Sequence, residues 1–550
     1  MSDDARDGLM LNQARVDAMT AAGLWQERTV LDYLDDRLRD QPDKVYVTDH
    51  NAMTGRSTSL SFRNLERVST RIAAGLSAHG IGAGDVVAMQ LPNWWEMLAL
   101  HIACMRIGAI TNPLMPIFRE HELEFMLSFA ETKAVVIPQR FRDFEYEPML
   151  QGLSASLPAL EHIFVVGGTG ERAFEAQLLN KPWEDEVDTK ALFERVRPSA
   201  NDVIEYCYTS GTSGRPKAVM HTSNTLFSCL GGALALEFDE NDVVLMGSPL
   251  AHQTGFLFGG LLPLKLGARL VLMDIWNAAE AAKLIHTEGV TMTMGATPFL
   301  SDLTYTNALD RYPPDTLSVF ICGGAPIPRP LVQAGSERLG ASIVAGWGMS
   351  ENGLVSSTRR SDAAEKVFET DGLPWPGMRL RVIDEDGAEL GPDKDGILQA
   401  NGAANFVGYL NRPQAYDTDA DGWFNTGDIA RIDGDGYVTI TGRAKDIIIR
   451  GGENIPVAEV ESTLFSYAAV DKVAVVAMPD ARLGERACAF VTLHGDETWD
   501  LDAMRVHLQS CGLTKNYWPE HLEVLSAMPM TPSGKIQKYK LREHAASLSA

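Results

Sequence analysis

Short apolar runs bounded by turn residues recur along much of the chain: Val86-Val-Ala-Met-Gln-Leu91, Ala134-Val-Val-Ile137, Ile163-Phe-Val-Val166, Val243-Val-Leu-Met246, Leu270-Val-Leu-Met273 and Val319-Phe-Ile-Cys322. Runs of this length predict buried strands. Stretches with helical spacing lie between some of them, at 94–108 and 278–288. The alternation predicts an α/β architecture with mostly parallel strands. From about Leu380 the texture changes to short alternating strands with Asp/Gly turns, as in Val382-Ile-Asp-Glu-Asp-Gly387 and Ile432-Asp-Gly-Asp-Gly-Tyr437. That predicts a small antiparallel, barrel-like subdomain. After Arg443-Ala-Lys-Asp446 the chain restarts with Ile447-Ile-Ile449, a Gly-Gly pair, a helix and two more strands. A boundary at Lys445/Asp446 divides a large N-terminal domain, 1–445, from a small α+β C-terminal domain, 446–550, of ordinary domain size. Residues 1 to about 25 read as a loosely held helix.

Composition narrows the class. A hydrophobic share of 45% with 22% charged residues suits a globular protein with a large core. The formal charge of −25 disfavours nucleic acid and anionic membranes as partners, although a local loop can still hold a small anion. The cysteines (Cys104, Cys207, Cys229, Cys322, Cys488, Cys511) form no C-x-x-C pair, so neither a zinc site nor a disulfide framework is indicated. The acidic start, Met-Ser-Asp-Asp, lacks the apolar run of a signal peptide. The longest apolar stretch, 97–107, is broken by His101 and Arg106 and is too short to span a bilayer. A cytoplasmic protein without a transmembrane segment is the expectation.

Tyr208-Thr-Ser-Gly-Thr-Ser-Gly-Arg-Pro-Lys217 gathers small hydroxyl and glycine residues ahead of a lysine. Such a loop can wrap a phosphate chain: unshielded backbone N–H groups point at the anion, hydroxyls add donors and the lysine adds charge. The string alone also suits a flexible linker. Strand-like residues before it (Val203, Ile204, Tyr206, Tyr208) and a helix expected from about Thr222 favour the phosphate loop, in the order strand, loop, helix. The P-loop spacing G-x-x-x-x-G-K-[ST] fails here. Ala218 follows Lys217, so a magnesium ligand has to come from elsewhere.

Gly346-Trp-Gly-Met-Ser-Glu351-Asn-Gly353 sets glycines around one aromatic, one hydroxyl and one carboxylate. Trp347 could stack on a base, Ser350 donate to a phosphate and Glu351 hold the missing magnesium. Alone, the segment reads first as a tight turn with a core tryptophan. Cys322-Gly-Gly-Ala-Pro326 either admits a flat ligand against backbone or is a plain strand-exit turn. In Trp423-Phe-Asn-Thr-Gly-Asp428 the carboxylate could accept both ribose hydroxyls or close an Asx turn, with Arg443 one hairpin later. Pro532-Ser-Gly-Lys535-Ile places a lysine on a turn, merely solvated or able to swing into a site. His252, in Pro249-Leu-Ala-His-Gln-Thr-Gly-Phe256, is a lone histidine of a kind more often structural than catalytic.

In order and rough spacing, the segments at 208–217, 346–353, 426–428, 442–446 and 533–535 resemble the adenylate-forming superfamily: acyl-CoA synthetases, the adenylation domains of nonribosomal peptide synthetases, and firefly luciferase. The resemblance runs from about Ser61 to Leu541. Asn112-Pro-Leu-Met-Pro-Ile-Phe-Arg119 and Gly451-Gly-Glu-Asn-Ile-Pro-Val-Ala-Glu459 look most like medium-chain and cyclohexanecarboxylate-type CoA ligases.

The resemblance implies two half-reactions at one site. A carboxylate attacks the α-phosphorus of Mg-ATP, giving acyl-AMP and pyrophosphate; the coenzyme A thiol then attacks the acyl carbon and AMP leaves. Attack of one anion on another needs charge neutralisation more than a base. Carried over by position, Thr209, Ser210, Gly211, Thr212, Ser213, Gly214 and Lys217 would hold the β- and γ-phosphates. Ser350 would contact the α-phosphate and Glu351 would bind Mg2+. Gly324, Ala325 and Trp347 would frame adenine, with Gly348 and Met349 in the same segment, and Asp428 and Arg443 would fix the ribose. Lys535 would bridge the substrate carboxylate and the phosphate during adenylation. Asp446 would be the hinge on which a mobile C-terminal domain turns between the half-reactions. Lys535 then leaves, Gly451, Gly452 and Glu453 approach a pantetheine channel, and His252 gates that channel from the other side. Many members have Tyr and Thr where this chain has Trp347 and Ser350, and an aromatic and a proline where it has Pro456 and Val457.

The histidine loop lacks the aspartate that peptide-synthetase domains place there, so the acid expected is uncharged and apolar, of short to medium or alicyclic shape. The expected activity is an ATP-dependent acyl-CoA ligase. An acyl-AMP ligase loading another acceptor, or a nucleotide-binding module without turnover, are the alternatives. The partners expected are the small-molecule acid, ATP and coenzyme A. A homo-oligomer, and a lysine acetyltransferase acting on Lys535 within Pro529-Met-Thr-Pro-Ser-Gly-Lys535, are further candidate partners; acetylation would remove the lysine's charge.

Overall fold

The computed structural model describes residues 8–209, 216–234, 236–324, 327–444, 446, 448–450, 453–480, 483–495, 497–513, 515–531 and 534–548. The apolar runs build two sheets that frame the N-terminal part of the chain. One has nine strands, ordered Leu373–Pro374, Gly353–Ser357, Ser342–Met349, Val319–Gly323, Met292–Gly295, Val243–Met246, Arg269–Met273, Val45–Asn51 and Arg56–Ser61. Its centre is parallel and its edges antiparallel. The other has six, ordered Lys217–Thr222, Val203–Thr209, Ile110–Pro113, Val86–Met89, Ala134–Pro138 and His162–Val166. All its pairs are parallel except the terminal hairpin. Parallel strands covered on both faces have no solvent side, which is why they read as continuous apolar runs. The helices Phe62–Ala78 and Trp95–Arg106 bury Leu65, Ile72, Met97 and Leu100 in the shared core.

The region of altered texture forms a four-stranded antiparallel sheet, Met378–Ile383, Gly396–Gly402, Phe424–Ile432 and Val438–Arg443. Beyond it, Glu453–Ile455, Ile448–Arg450, Gly484–Leu493 and Val470–Asp480 make another sheet, which His521–Val524 joins in parallel. This last unit has its own core, including Val460, Leu464, Val475, Ala489 and Met504. It contains more than the expected helix and two strands. The strand His521–Val524 and the helices Leu501–Ser510 and Lys538–Leu548 are additional to that expectation; each helix buries only two residues, Met504 with Leu508 and Leu541 with Ala545, and the strand buries none fully, so the apolar signal is weak.

The helix expected from about Thr222 is present, but an unexpected strand precedes it: Lys217–Thr222 pairs antiparallel with Val203–Thr209. Ala218, Val219 and Met220 are buried in that hairpin. The short helix Ser223–Ser228, capped by the Thr222 side chain, starts only after it. The loop therefore joins two strands, and no helix N-terminus sits at Lys217. Nor are residues 8–25 loosely held. Leu9 bridges Gly408, Met10 N donates to Val407 O at 2.7 Å, and buried Trp25 donates through Nε1 to Ala403 O at 3.0 Å. These partners lie far along the chain, beyond the reach of any local pattern. No helix among the described residues is long and apolar enough to cross a membrane.

Candidate active site

The C-terminal ends of the parallel strands Val319–Gly323 and Ser342–Met349 open on one cleft, the usual ligand position in open α/β sheets. Ser248, Pro249, His252, Thr254, Ala296, Gly323, Gly324 and Lys535 line it. Gly324 adopts φ +82°, and a β-carbon there would lie 3.6 Å from Lys535 Cε. Strand Ser342–Met349 carries Trp347 and turns back through Ser350 and Glu351 into Gly353–Ser357. A β-carbon on Gly348 would sit 1.6 Å from Gly353 O, so only glycine closes this hairpin.

The hairpin delivers Glu351, 5% exposed, to Tyr409, whose hydroxyl donates to Glu351 Oε1 at 2.6 Å. Burial and the neighbouring carboxylate push the Tyr409 phenol above its ordinary value, so it remains a donor. Lys217 Nζ lies 4.4 Å from the centroid of the same ring. His221, buried in the strand that Lys217 begins, meets Ser350 O through Nε2 at 2.7 Å and Thr225 Oγ1 through Nδ1 at 3.1 Å. Burial lowers its pKa to about 4, so the ring is neutral. A carbonyl only accepts, so the proton sits on Nε2 and Nδ1 accepts from Thr225.

Asp428, 2% exposed, is held at both oxygens: Oδ2 accepts from Trp347 Nε1 at 2.8 Å and Oδ1 pairs with Arg443 Nε at 2.9 Å. Arg443 is its cross-strand partner, so strand register sets the ion pair. Lys535 reaches the same region from the C-terminal unit, on a turn in which its N–H donates to Thr531 Oγ1 at 2.9 Å. Burial, with the Arg443 charge, brings the Lys535 ammonium down to about 8, against the pull of Asp428 and Glu351. His252 Nδ1 accepts from Thr254 N at 3.3 Å, and burial together with the Lys535 charge lowers its pKa to about 3. Glu205, deep in Val203–Thr209, is pushed up to about 8 by burial and is neutral at pH 7.

Of the residues expected from sequence, the fold brings Lys217, Gly324, Trp347, Ser350, Glu351, Asp428, Arg443 and Lys535 into one region, with His252 on the cleft wall. Thr209 and Lys217 are register partners at the two ends of the loop. Ser210, Gly211, Thr212, Ser213, Gly214, Ala325, Gly451 and Gly452 lie outside the described residues. Glu453 begins the strand Glu453–Ile455. Asp446 donates its N–H to Arg443 O at 2.9 Å and pairs through its carboxylate with Arg542 of the last helix. Sequence reasoning missed His221 and Tyr409. A lone polar residue in the apolar run Ala218-Val-Met-His221 is a usable signal for the first; Phe406-Val-Gly-Tyr409 offers none for the second. No cluster of three or more His, Cys, Asp or Glu suited to a metal occurs among the described residues. A single buried carboxylate, Glu351, close to the loop lysine fits magnesium, which takes most of its ligands from phosphates and water.

The AMP-binding enzyme family profile matches residues 34–410, and the AMP-binding enzyme C-terminal domain profile matches 459–535. The medium-chain fatty-acid–CoA ligase of Escherichia coli (strain K12) is 34% identical over 541 residues, covering 97% of this chain and 94% of that one. The 2,3-dihydroxybenzoate-AMP ligase of Bacillus subtilis (strain 168) is 31% identical over 526 residues, covering 95% and 94%. Among solved structures, ATP-bound MatB from Rhodopseudomonas palustris superposes with a TM-score of 0.82 at 26% identity, covering 96% of this chain and 100% of that one. The chain belongs to the AMP-binding enzyme family, the adenylate-forming acyl-CoA and aryl-CoA ligases.

Proposed function

We propose that the protein converts an uncharged, apolar carboxylic acid, short to medium in length or alicyclic, to its coenzyme A thioester through an acyl-AMP intermediate. Residues 1–445 and 446–550 are its two domains in this proposal. The observation that carries it is Lys535, a residue of the C-terminal unit placed in the cleft against Gly324 and within the fields of Asp428, Arg443 and Glu351.

In the first half-reaction the triphosphate lies along 209–217, the ribose on Asp428 and Arg443, and adenine between 324–325 and Trp347. Glu351 would hold Mg2+, its carboxylate oriented by Tyr409; the ion supplies charge neutralisation at the phosphates. Lys535 meets both the substrate carboxylate and the α-phosphate and reduces the repulsion between two anions. The Ser350 hydroxyl donates to the same phosphate, on a turn fixed by His221. For the second half-reaction Lys535 withdraws. Asp446 absorbs the rotation, tied to the moving body through Arg542. Gly451, Gly452 and Glu453 then line the pantetheine channel opposite a neutral His252. Acetylation of Lys535 would silence the first step. The modifying enzyme needs the rotated form, because in this one the side chain is in the cleft.

The cleft supports an uncharged acyl group: apart from Lys535, its side chains come from Ser248, Pro249, Thr254 and Ala296, which bear no charge, and from His252, which is neutral at pH 7. The 31% identity to an AMP ligase favours a second reading, an acyl-AMP ligase loading an acceptor other than coenzyme A. A panel of carboxylic acids, assayed for ATP–pyrophosphate exchange and for CoA-ester formation, separates the two. Exchange with thioester supports the first, exchange without it the second, and no exchange with any acid removes both.

A further inference from the structure

Residues 8–25 precede the segment that the family profile matches, yet they end on the machinery around Glu351. The segment 406–410 is paired on both sides. Toward the Lys217 strand, Met220 N donates to Gly408 O at 2.9 Å, Val407 N to Met220 O at 3.1 Å and Leu410 N to Ala218 O at 3.0 Å. Toward the N-terminal arm, Met10 N donates to Val407 O and Leu9 bridges Gly408. The helix Gln13–Ala21 follows, its first turn fixed by the Asn12 side chain, which accepts from Arg15 N at 2.9 Å. This places the Arg15 guanidinium over the Trp25 ring, 5.1 Å from its centroid. From there it donates through Nη1 to Phe406 O at 3.0 Å and through Nη2 to Asn405 O.

The second of those carbonyls leads to Glu351. The peptide whose oxygen is Asn405 O has Phe406 N–H at its other end, and that N–H donates to Glu351 O at 2.7 Å. Three residues on, Tyr409 holds Glu351 Oε1. A cation on one end of a peptide group polarises it and strengthens the hydrogen bond made by the other. We infer that Arg15 is a positioning residue for Glu351: the N-terminal arm clasps 405–410 against the Lys217 strand and so fixes, at backbone and side chain, the carboxylate that would hold Mg2+. The inference rests on the metal-binding reading of Glu351. Tethering of the arm for its own sake would load its bonds onto any nearby carbonyls. Arg15 instead caps the peptide that grips Glu351.

The test uses the full-length enzyme and a fluorescent ATP analogue, whose dissociation constant is measured with and without Mg2+. In the wild type Mg2+ tightens binding. Arg15→Met is expected to cut that tightening by about tenfold, the scale on which supporting residues act on metal affinity, while AMP binding is unchanged. Arg15→Lys, which keeps the charge, recovers part of it. Trp25→Phe loses the bond to Ala403 and some thermal stability but keeps the full Mg2+ effect. If Arg15→Met does not fold, Arg15→Lys and Arg15→Gln carry the same comparison. An unchanged Mg2+ effect in the Arg15 variants, or an equal loss in Trp25→Phe, overturns the inference alone. A wild type whose ATP binding ignores Mg2+ defeats the reading of Glu351 and this inference with it.

Discussion

Trp347 Nε1 donates to Asp428 Oδ2 at 2.8 Å, across two sheets, with both residues buried. The aromatic expected to stack on adenine thus also braces the carboxylate proposed to hold the ribose, and Arg443 takes the other oxygen. Trp347→Phe keeps a ring but strips one donor from a buried carboxylate, a loss of about 1–3 kcal/mol. The expected outcome is an ATP KM for pyrophosphate exchange raised by about tenfold, with a smaller change in kcat. An ATP KM equal to that of the wild type would show that the bond does not orient Asp428.

Much of this arrangement was legible in the sequence. The glycine–hydroxyl loop has a local composition that chemistry can read, and the parallel strands announce themselves as unbroken apolar runs; the Trp347–Glu351 turn, Asp428 and Lys535 read locally as ordinary turn residues, and only the family resemblance gives them site roles. Relations between distant segments were not legible. Tyr409 matters because its hydroxyl meets Glu351, and nothing around it in the chain says so. The helix start near Thr222 was legible, but the strand Lys217–Thr222 before it was not, because its pairing, not its own pattern, makes it a strand. The arm at 8–25 looked loose because its partners lie near residues 403–408.

Tyr409→Phe removes one hydroxyl and leaves the ring under Lys217 in place. A hydrogen bond to a charged group is worth about 1.5–3 kcal/mol, so adenylation is expected to slow by about tenfold or more. The KM for the acid should hold, because the phenol faces Glu351 and is not on the cleft lining. Equal kcat values for the two proteins, measured by exchange at saturating Mg-ATP, would remove Tyr409 from the account.

Buried neutral histidines make stability depend on pH with a definite sign. His101, stacked on Phe256 at 4.2 Å, and His252 have pKa values lowered to about 3, and His221 to about 4, by burial. The unfolded chain, with histidines near the ordinary value of about 6.5, binds protons that the folded chain refuses. The stability is fully present above about pH 6.5 and is lost as pH falls toward 4, by up to about 3 kcal/mol for each group. His101 Nε2 has no hydrogen-bond partner, so His101→Phe sacrifices no bond at that atom. The urea midpoint of the wild type should fall from pH 7.5 to pH 5, and His101→Phe should fall less. Parallel profiles for the two would contradict the assignment.

Lys535 is the group whose charge the first half-reaction needs, and its pKa of about 8 brings its loss of charge into an accessible range. As pH rises through 8 the ammonium deprotonates and no longer offsets the repulsion between the carboxylate and the α-phosphate. Pyrophosphate exchange should therefore show an alkaline limb near pH 8, and Lys535→Arg, charged throughout, should move that limb upward. Lys535→Ala should slow adenylation by about a hundredfold or more, the effect of losing one preorganised charge donor, and abolish the limb. Thioester formation from supplied acyl-AMP and coenzyme A should survive, because Lys535 has left the cleft by then. Equal losses in the two half-reactions would mean that the lysine supports the fold of the cleft and not the chemistry of its first step.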